Sequence, residues 1–306
     1  MPRYGERTLT GTNRSLESLG KKPPAGIGVV DGYGVATGGS SSSITVSTIA
    51  YTLLTFTADG NLVVATAGLF DVLMFSGGGG GAGVSSNTDN YGTGGGAGGN
   101  YVLLTGIYLD AATHAIDIGA GGSSTSGNVD GGRGEPTILG TKLTTTFSGG
   151  GDSLGTNSGS ANTPSGGRLS IGTAGEFRYA VIGTAFGGYP SGATTGYPNT
   201  GASGAGGAGG AGVNPSGNNG GAGGIGYDVS TFIGGSSLFK GGGGGGGGSS
   251  SGGAGGSSVG GAGSTSNTGA TAGANTASGG GGNARTSPAG AAGLGGSGIC
   301  YIRFKV

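Results

Sequence analysis

The chain is poor in the residues that active sites usually draw on. Among 306 residues there are one histidine, one cysteine and no tryptophan, and charged residues make up 8%. A single Cys300 excludes an internal disulfide framework; lying in the last apolar stretch, it reads as a small core residue rather than a nucleophile. A single His114 offers no Ser-His-Asp constellation that spacing could locate. The carboxylates Asp110, Asp117, Asp130, Glu135 and Asp152 are scattered, without the spacing of a calcium loop or a supported glycosidase pair. Strings of the G-x-G-x-x-G kind abound, but none precedes a helical pattern. No G-K-[ST] step occurs, so dinucleotide and P-loop readings fail. The expectation is a protein that is not an enzyme, with no cofactor and no metal.

Other absences narrow the partners. Thirteen basic and thirteen acidic residues cancel, which removes any global drive toward nucleic acid or an anionic membrane. No apolar run approaches the roughly 20 residues of a membrane span. The opening MPRYGERTLTGTNRSLESL has no apolar h-region, so no secretory signal is expected there.

What is abundant is glycine: 87 residues, far above the usual roughly 7%. Such an excess without a core signals disorder, but here apolar residues still make up 33% and they are clustered. Residues 44–75 are rich in β-branched and aromatic residues, with Asp59-Gly60 expected to form a tight hairpin turn. Leu69 to Phe75 is almost continuously apolar, as in a strand covered on both faces. Further strands are expected at 100–118, 136–147, 176–186 and 226–233. In the terminal strand Cys300, Ile302 and Phe304 face one side and Tyr301, Arg303 and Lys305 the other. No amphipathic helix is evident, and each strand is too short to stand alone. The expected fold is all-β: a β-sandwich whose last strand closes the sheet begun near residue 50.

Between the strands lie glycine blocks at 76–83, 92–100, 118–124, 147–153, 201–212, 217–226, 240–248 and 278–284. Almost all begin or end at a strand, which tethers between domains do not do. Polyproline-II geometry has three residues per turn, a rise of about 3.1 Å and no internal hydrogen bonds. With glycine alone, such rods can pack side by side and pair their backbone groups laterally, meeting the demand that buried N–H and C=O be satisfied. Ordering each residue costs about 1–2 kcal/mol against roughly 1 kcal/mol net per hydrogen bond, so an apolar sheet must anchor the rod ends. The octaglycine 241–248 is then one rod of about 25 Å. Collagen does not fit: Gly201, Gly204, Gly207 and Gly210 keep its period only briefly, and Val213 breaks it.

The order FTADG, GLFDVLMFSGGGGGAG, GGNYVLLTGIYLD, HAIDIGAGGSS, PTILG and GSGICYIRFKV resembles the glycine-rich domains of many phage tail and fibre proteins over residues 44–306. The chain is also similar to the polyglycine-II tip adhesins of T-even-like tail fibres and, in structure only, to the glycine-rich domain of anaplastic-lymphoma-type receptor kinases. The resemblance implies a virion protein of a tail tip, fibre or spike that attaches to the host surface and is assembled in the host cytoplasm. A head-decoration or head-fibre protein is one alternative, a surface-glycan depolymerase another.

Two sets of candidate residues follow. Residues 1–43 form an extended arm expected to dock to another virion protein through Arg3, Tyr4, Arg7, Arg14, Lys21 and Lys22. Gly-Tyr-Pro occurs twice in 186–201, where proline stiffens each turn and tyrosine offers a rigid amphipathic face. Tyr189 and Tyr197, with Tyr91 by the same reasoning, are the receptor-binding candidates, suited to stacking on a sugar ring. A homotrimer is expected.

Overall fold

The computed structural model describes residues 32–83, 92–127, 129–151, 182–186, 188–193, 201–266, 268–284 and 290–306. The strands β1 (Val35–Thr37), β2 (Ser40–Val46), β3 (Ile49–Phe56), β4 (Gly60–Thr66), β5 (Gly68–Phe75), β6 (Tyr101–Leu109) and β7 (Thr113–Asp117) come first. They are followed by β8 (Ile138–Leu139), β9 (Leu143–Thr144), β10 (Ile182–Phe186), β11 (Tyr227–Asp228), the one-turn helix α1 (Ser230–Ile233), β12 (Phe239–Lys240) and β13 (Ile299–Lys305). A six-stranded sheet runs β10-β6-β5-β13-β3-β2 and a five-stranded sheet runs β1-β4-β7-β8-β9. Every pairing within them is antiparallel.

The two sheets enclose one core. Leu54, Phe56, Phe70, Val72, Met74, Leu104, Ile107, Cys300 and Ile302 from the six-stranded sheet meet Leu62, Val64, Ile116, Leu139 and Leu143 from the other. Each such side chain contributes about 1.5–3 kcal/mol on burial. The opposite face of the six-stranded sheet is also covered: Leu53, Leu73, Phe75, Ile299 and Tyr301 pack on Val229 and Phe232 around α1 and on Ala208 and Ala277. β5 and β13 are therefore covered on both faces, as expected for the run Leu69–Phe75, and β13 pairs with β3 to close the sheet.

A bulge sets the phase of β6. Phe70 pairs with Ile107 but Val72 with Leu104, so β6 carries one residue more than β5 across this step. Gly106 absorbs it at φ +72°, a conformation that favours glycine. Leu104 and Ile107, which strict alternation would put on opposite faces, thereby enter the same core.

Several expectations change. Asp59-Gly60 does not turn a hairpin: β3 and β4 lie in different sheets, and the segment arches between them while Asp59 Oδ1 accepts the Ile118 N–H at 2.7 Å. The stretch 226–233 is a two-residue strand and a helical turn, because Asp228 Oδ1 accepts the N–H of Ser230 and of Leu238, both at 3.0 Å, and bends the chain. The stretch 136–147 holds two short strands around Gly140 at φ +47°. The boundary at residue 44 falls inside β2. Ser40–Ser43 carry no apolar pattern, yet their backbone forms a ladder with Thr52–Thr55, and the compact unit extends over Tyr33–Val306. Of the stretch 176–186, only Ile182–Phe186 lies within the described residues.

The glycine blocks form a packed layer of rods. In the octaglycine, Gly243 and Gly246 donate to Gly224 and Gly221, Gly244 and Gly247 to Gly96 and Thr93, and Gly245 and Gly248 to Gly261 and Ser264. The same rod accepts from Ala202, Ala205 and Ala208, from Gly279 and Gly282, and from Gly253 and Gly256. Partners recur every third residue and surround the rod, which is the three-residue period of the polyproline-II helix. Gly241–Gly248 are all buried. A Cβ built on Gly244 would stand 2.1 Å from the Gly280 carbonyl oxygen, and one on Gly247 2.0 Å from that of Asn283. Spacing this close leaves room for hydrogen and nothing larger.

The rods grow out of the sheet. β5 continues into 76–83, the block 92–100 leads into β6, and 290–298 leads into β13. Neighbouring strands remain neighbouring rods: Ser76 donates to Asn100, Gly79 to Ala97, Gly78 to Gly296 and Gly81 to Gly293. Where a strand has partners only in its plane, the threefold rod gains partners above and below it. Gly77 and Gly80 donate to Glu135 and Gly132, while Gly280 and Gly151 donate into Gly79 and Gly80.

Candidate functional site

Side chains capable of specific contact gather where strands become rods. Phe75 ends β5, Tyr101 begins β6 directly after a glycine block, and Tyr227 begins β11 directly after another. Their rings form one cluster: Tyr101 and Tyr227 have centroids 4.6 Å apart, and Phe75 lies 5.5 Å from Tyr101 and 6.2 Å from Tyr227. Such pairs contribute about 0.5–1.5 kcal/mol beyond their burial, so the cluster anchors the rod ends to the sheet.

Tyr189 borders this cluster. Its N–H donates to Gly207 at 3.0 Å, Gly192 donates to Gly204 at 2.9 Å, and Gly212 donates to Pro190 at 3.0 Å. Residues 188–193 thus run as a rod segment along 201–208, where a proline-stiffened turn was expected. The backbone is locked while the ring is 41% exposed. Ile225, 54% exposed, lies along the neighbouring rod, its carbonyl accepting from Gly209. Burial, then the phenols of Tyr227 and Tyr189, pushes the Tyr101 hydroxyl up to about 12, so it stays protonated and able to donate at neutral pH. A fixed, half-open tyrosine beside a protonated phenol offers a flat apolar face with hydrogen-bonding groups at its edge. Tyr91, Tyr197 and the arm residues Arg3, Tyr4, Arg7, Arg14, Lys21 and Lys22 lie outside the described residues.

A second polar constellation is buried. Arg303 Nε lies 3.0 Å from Asp71 Oδ2, and the guanidinium also donates to the Phe232 carbonyl. It sits between the rings of Tyr51 and Phe232, 4.4 and 4.3 Å from their centroids. The other Asp71 oxygen accepts the N–H of the bulge residue Gly106 at 3.0 Å. Charges taken out of water are tolerated when paired and fully hydrogen-bonded; this pair ties α1, the bulge and β13 together. Opposite-face periodicity placed Arg303 away from Cys300, but nothing local marked Asp71 as its partner 232 residues away.

The remaining chemistry-bearing residues are dispersed. His114 Nε2 lies 3.1 Å from the Asp110 carbonyl oxygen, and Lys142 reaches the Asp110 carboxylate at 3.8 Å on the surface. Burial raises the thiol pKa of Cys300, which keeps it un-ionised inside the core. Burial lowers the ammonium pKa of Lys240, whose Nζ donates to the Asn275 carbonyl at 2.8 Å. Among the described residues, no three or more His, Cys, Asp or Glu side chains are grouped to hold a metal ion.

No curated protein matches the sequence. The profile of a glycine-rich domain matches residues 55–305, which covers the sandwich from the end of β3 onward, the junction cluster and the rods. The chain belongs to the glycine-rich domain family.

Proposed function

We propose that the protein is a structural component of a phage virion, in a tail tip, fibre or spike, that displays a host-attachment surface on a rigid support. The observation that carries this reading is the octaglycine rod, hydrogen-bonded to other segments all around its circumference. A layer held by backbone alone keeps its shape whatever the outward side chains are, so the attachment surface can change without repacking a core. Tyr189 sits on that layer with its backbone fixed and its ring open, and it contacts host saccharide or protein together with Tyr197 and Tyr91. The arm bearing Arg3, Tyr4, Arg7, Arg14, Lys21 and Lys22 docks to another virion protein.

The test is binding of the purified, labelled full chain to host cells, together with its detection in purified particles. Saturable binding is expected, with at least a tenfold loss in the Tyr189→Ala, Tyr197→Ala double variant at unchanged circular dichroism. Removal of residues 1–31 is expected to abolish incorporation into particles while cell binding persists. Absence from particles together with no cell binding refutes the proposal. Release of sugar from host glycan would replace adhesion by depolymerisation.

A further inference from the structure

The first half of β2 is ordered without burying a side chain; beyond it Ile44 and Val46 are half-buried, and Ile44 packs against the cluster that holds Phe232. Ser40–Ser43 are exposed, and Thr45 beyond them is exposed as well. Holding a residue in one conformation costs about as much free energy as one ladder hydrogen bond returns net. One ladder, to β3, leaves Ser40–Ser43 near balance. A second ladder on their outer side would tip them clearly toward order.

Among the described residues, no segment pairs with the outer side of Ser40–Ile44. β2 ends the six-stranded sheet and carries no charge, no proline and no bulge; its register with β3 is unbroken from Ser40↔Thr55 to Val46↔Ile49. Those are the devices by which sheet edges usually repel further pairing. The other edge strands of the two sheets, among the described residues, are β10 with five residues, β1 with three and β9 with two; β2, with seven, is the longest edge. The far end of β2 is blocked, since a Cβ on Gly234, just after α1, would stand 2.9 Å from the Thr45 carbonyl oxygen. The open stretch is therefore Ser40–Ile44, with Ser42 at its centre.

We propose that β2 is a self-association edge: Ser40–Ile44 pairs antiparallel with the same stretch of a second copy of this chain, about a twofold axis at Ser42. The pairing joins two six-stranded sheets into one. The stretch suits a copy of itself because it is neutral, so no like charges meet across the axis, and its serines are small enough to sit directly opposite one another. Antiparallel pairing of one edge with itself is isologous and closes at two copies. A threefold ring would need two different edges to meet, so this geometry favours a dimer over the trimer expected from sequence.

Sedimentation velocity of the full chain over a range of concentrations tests this. A reversible dimer is expected. Ser42→Lys, which puts two ammonium groups opposite each other, is expected to raise its dissociation constant at least tenfold. The side chain of Ser42 is exposed, so circular dichroism and the melting temperature of the monomer should not change. Ser42→Cys provides an independent readout: mild oxidation should give a covalent dimer, whereas Val63→Cys, exposed on the other sheet, should not. Loss of the dimer in Ser42→Lys or cross-linking of Ser42→Cys supports the pairing. A monomer at all concentrations, a trimer, or a dimer that neither variant touches overturns it.

Discussion

In the sandwich, Phe70, Val72 and Met74 are fully buried and fill the space between two sheets. In the rod layer, Gly243–Gly247 are just as buried and contribute no side chain at all. One region is held by apolar area, the other by hydrogen bonds between backbones that touch. The same operation therefore has opposite meaning in the two places. Removing atoms opens a cavity in the sandwich, and adding one atom drives apart a layer whose neighbours are carbonyl oxygens. The junction cluster of Phe75, Tyr101 and Tyr227 is where the two regimes meet, and it lets the apolar sheet fix the ends of rods that could not order themselves.

The contrast can be broken most forcefully by substitution. Phe70→Ala is expected to cost about 3–5 kcal/mol by denaturant titration. Gly244→Ala, with its Cβ 2.1 Å from the Gly280 oxygen, is expected to cost about 1–3 kcal/mol or more although it adds only a methyl group. Gly60→Ala is the control: its Cβ meets Phe56 Cδ1 at an ordinary 3.6 Å, and stability should stay within about 0.5 kcal/mol. If Gly244→Ala proves as mild as Gly60→Ala, the rods are not packed as described.

A smaller effect concerns the junction. The Tyr101 hydroxyl is held up at about 12, first by burial and then by Tyr227 and Tyr189, against an ordinary 10.0. The folded state favours the protonated phenol. Its contribution is therefore complete below pH about 10 and is lost as pH rises from there to about 12. Wild-type melting temperature should fall more steeply across that window than that of Tyr101→Phe; equal slopes would remove Tyr101 from the account.

The smallest expected change is a gain. The turn between β2 and β3 holds Ser47 at φ +46° and Thr48 at φ +72°, and a β-branched residue is strained there. Thr48→Gly should stabilise the protein by about 0.5–1 kcal/mol, read as a rise of roughly 1–4 °C in melting temperature. A fall would show that the Thr48 hydroxyl, which donates to the Ser47 carbonyl, outweighs the strain.

The all-β architecture, the doubly covered β5 and the rods were legible in the sequence, because each leaves a local signature: alternation along strands such as Cys300–Phe304, an unbroken apolar run at Leu69–Phe75, and glycine blocks that meet strand ends. What was not legible lacks such a local signature. Ser40–Ser43 form a strand through backbone pairing alone. Asp228 turns the chain at 228–233 through its side chain, against the β-prone residues around it. The bulge at Gly106 and the Asp71–Arg303 pair depend on strands distant in sequence. In the candidate site Tyr189 was visible beside Pro190, but Tyr101 and Tyr227 were hidden among ordinary strand residues. Their shared position at the border of a glycine block was the available signal.

Native-state amide hydrogen exchange tests the central claim most directly. The N–H groups of Gly243–Gly248 are predicted to be protected as strongly as those of β5 and β13, since every one of them is buried or bonded to a neighbouring rod. Exchange of these glycines at the rate of an unstructured chain, with the strands still protected, would contradict a layer built from backbone pairing.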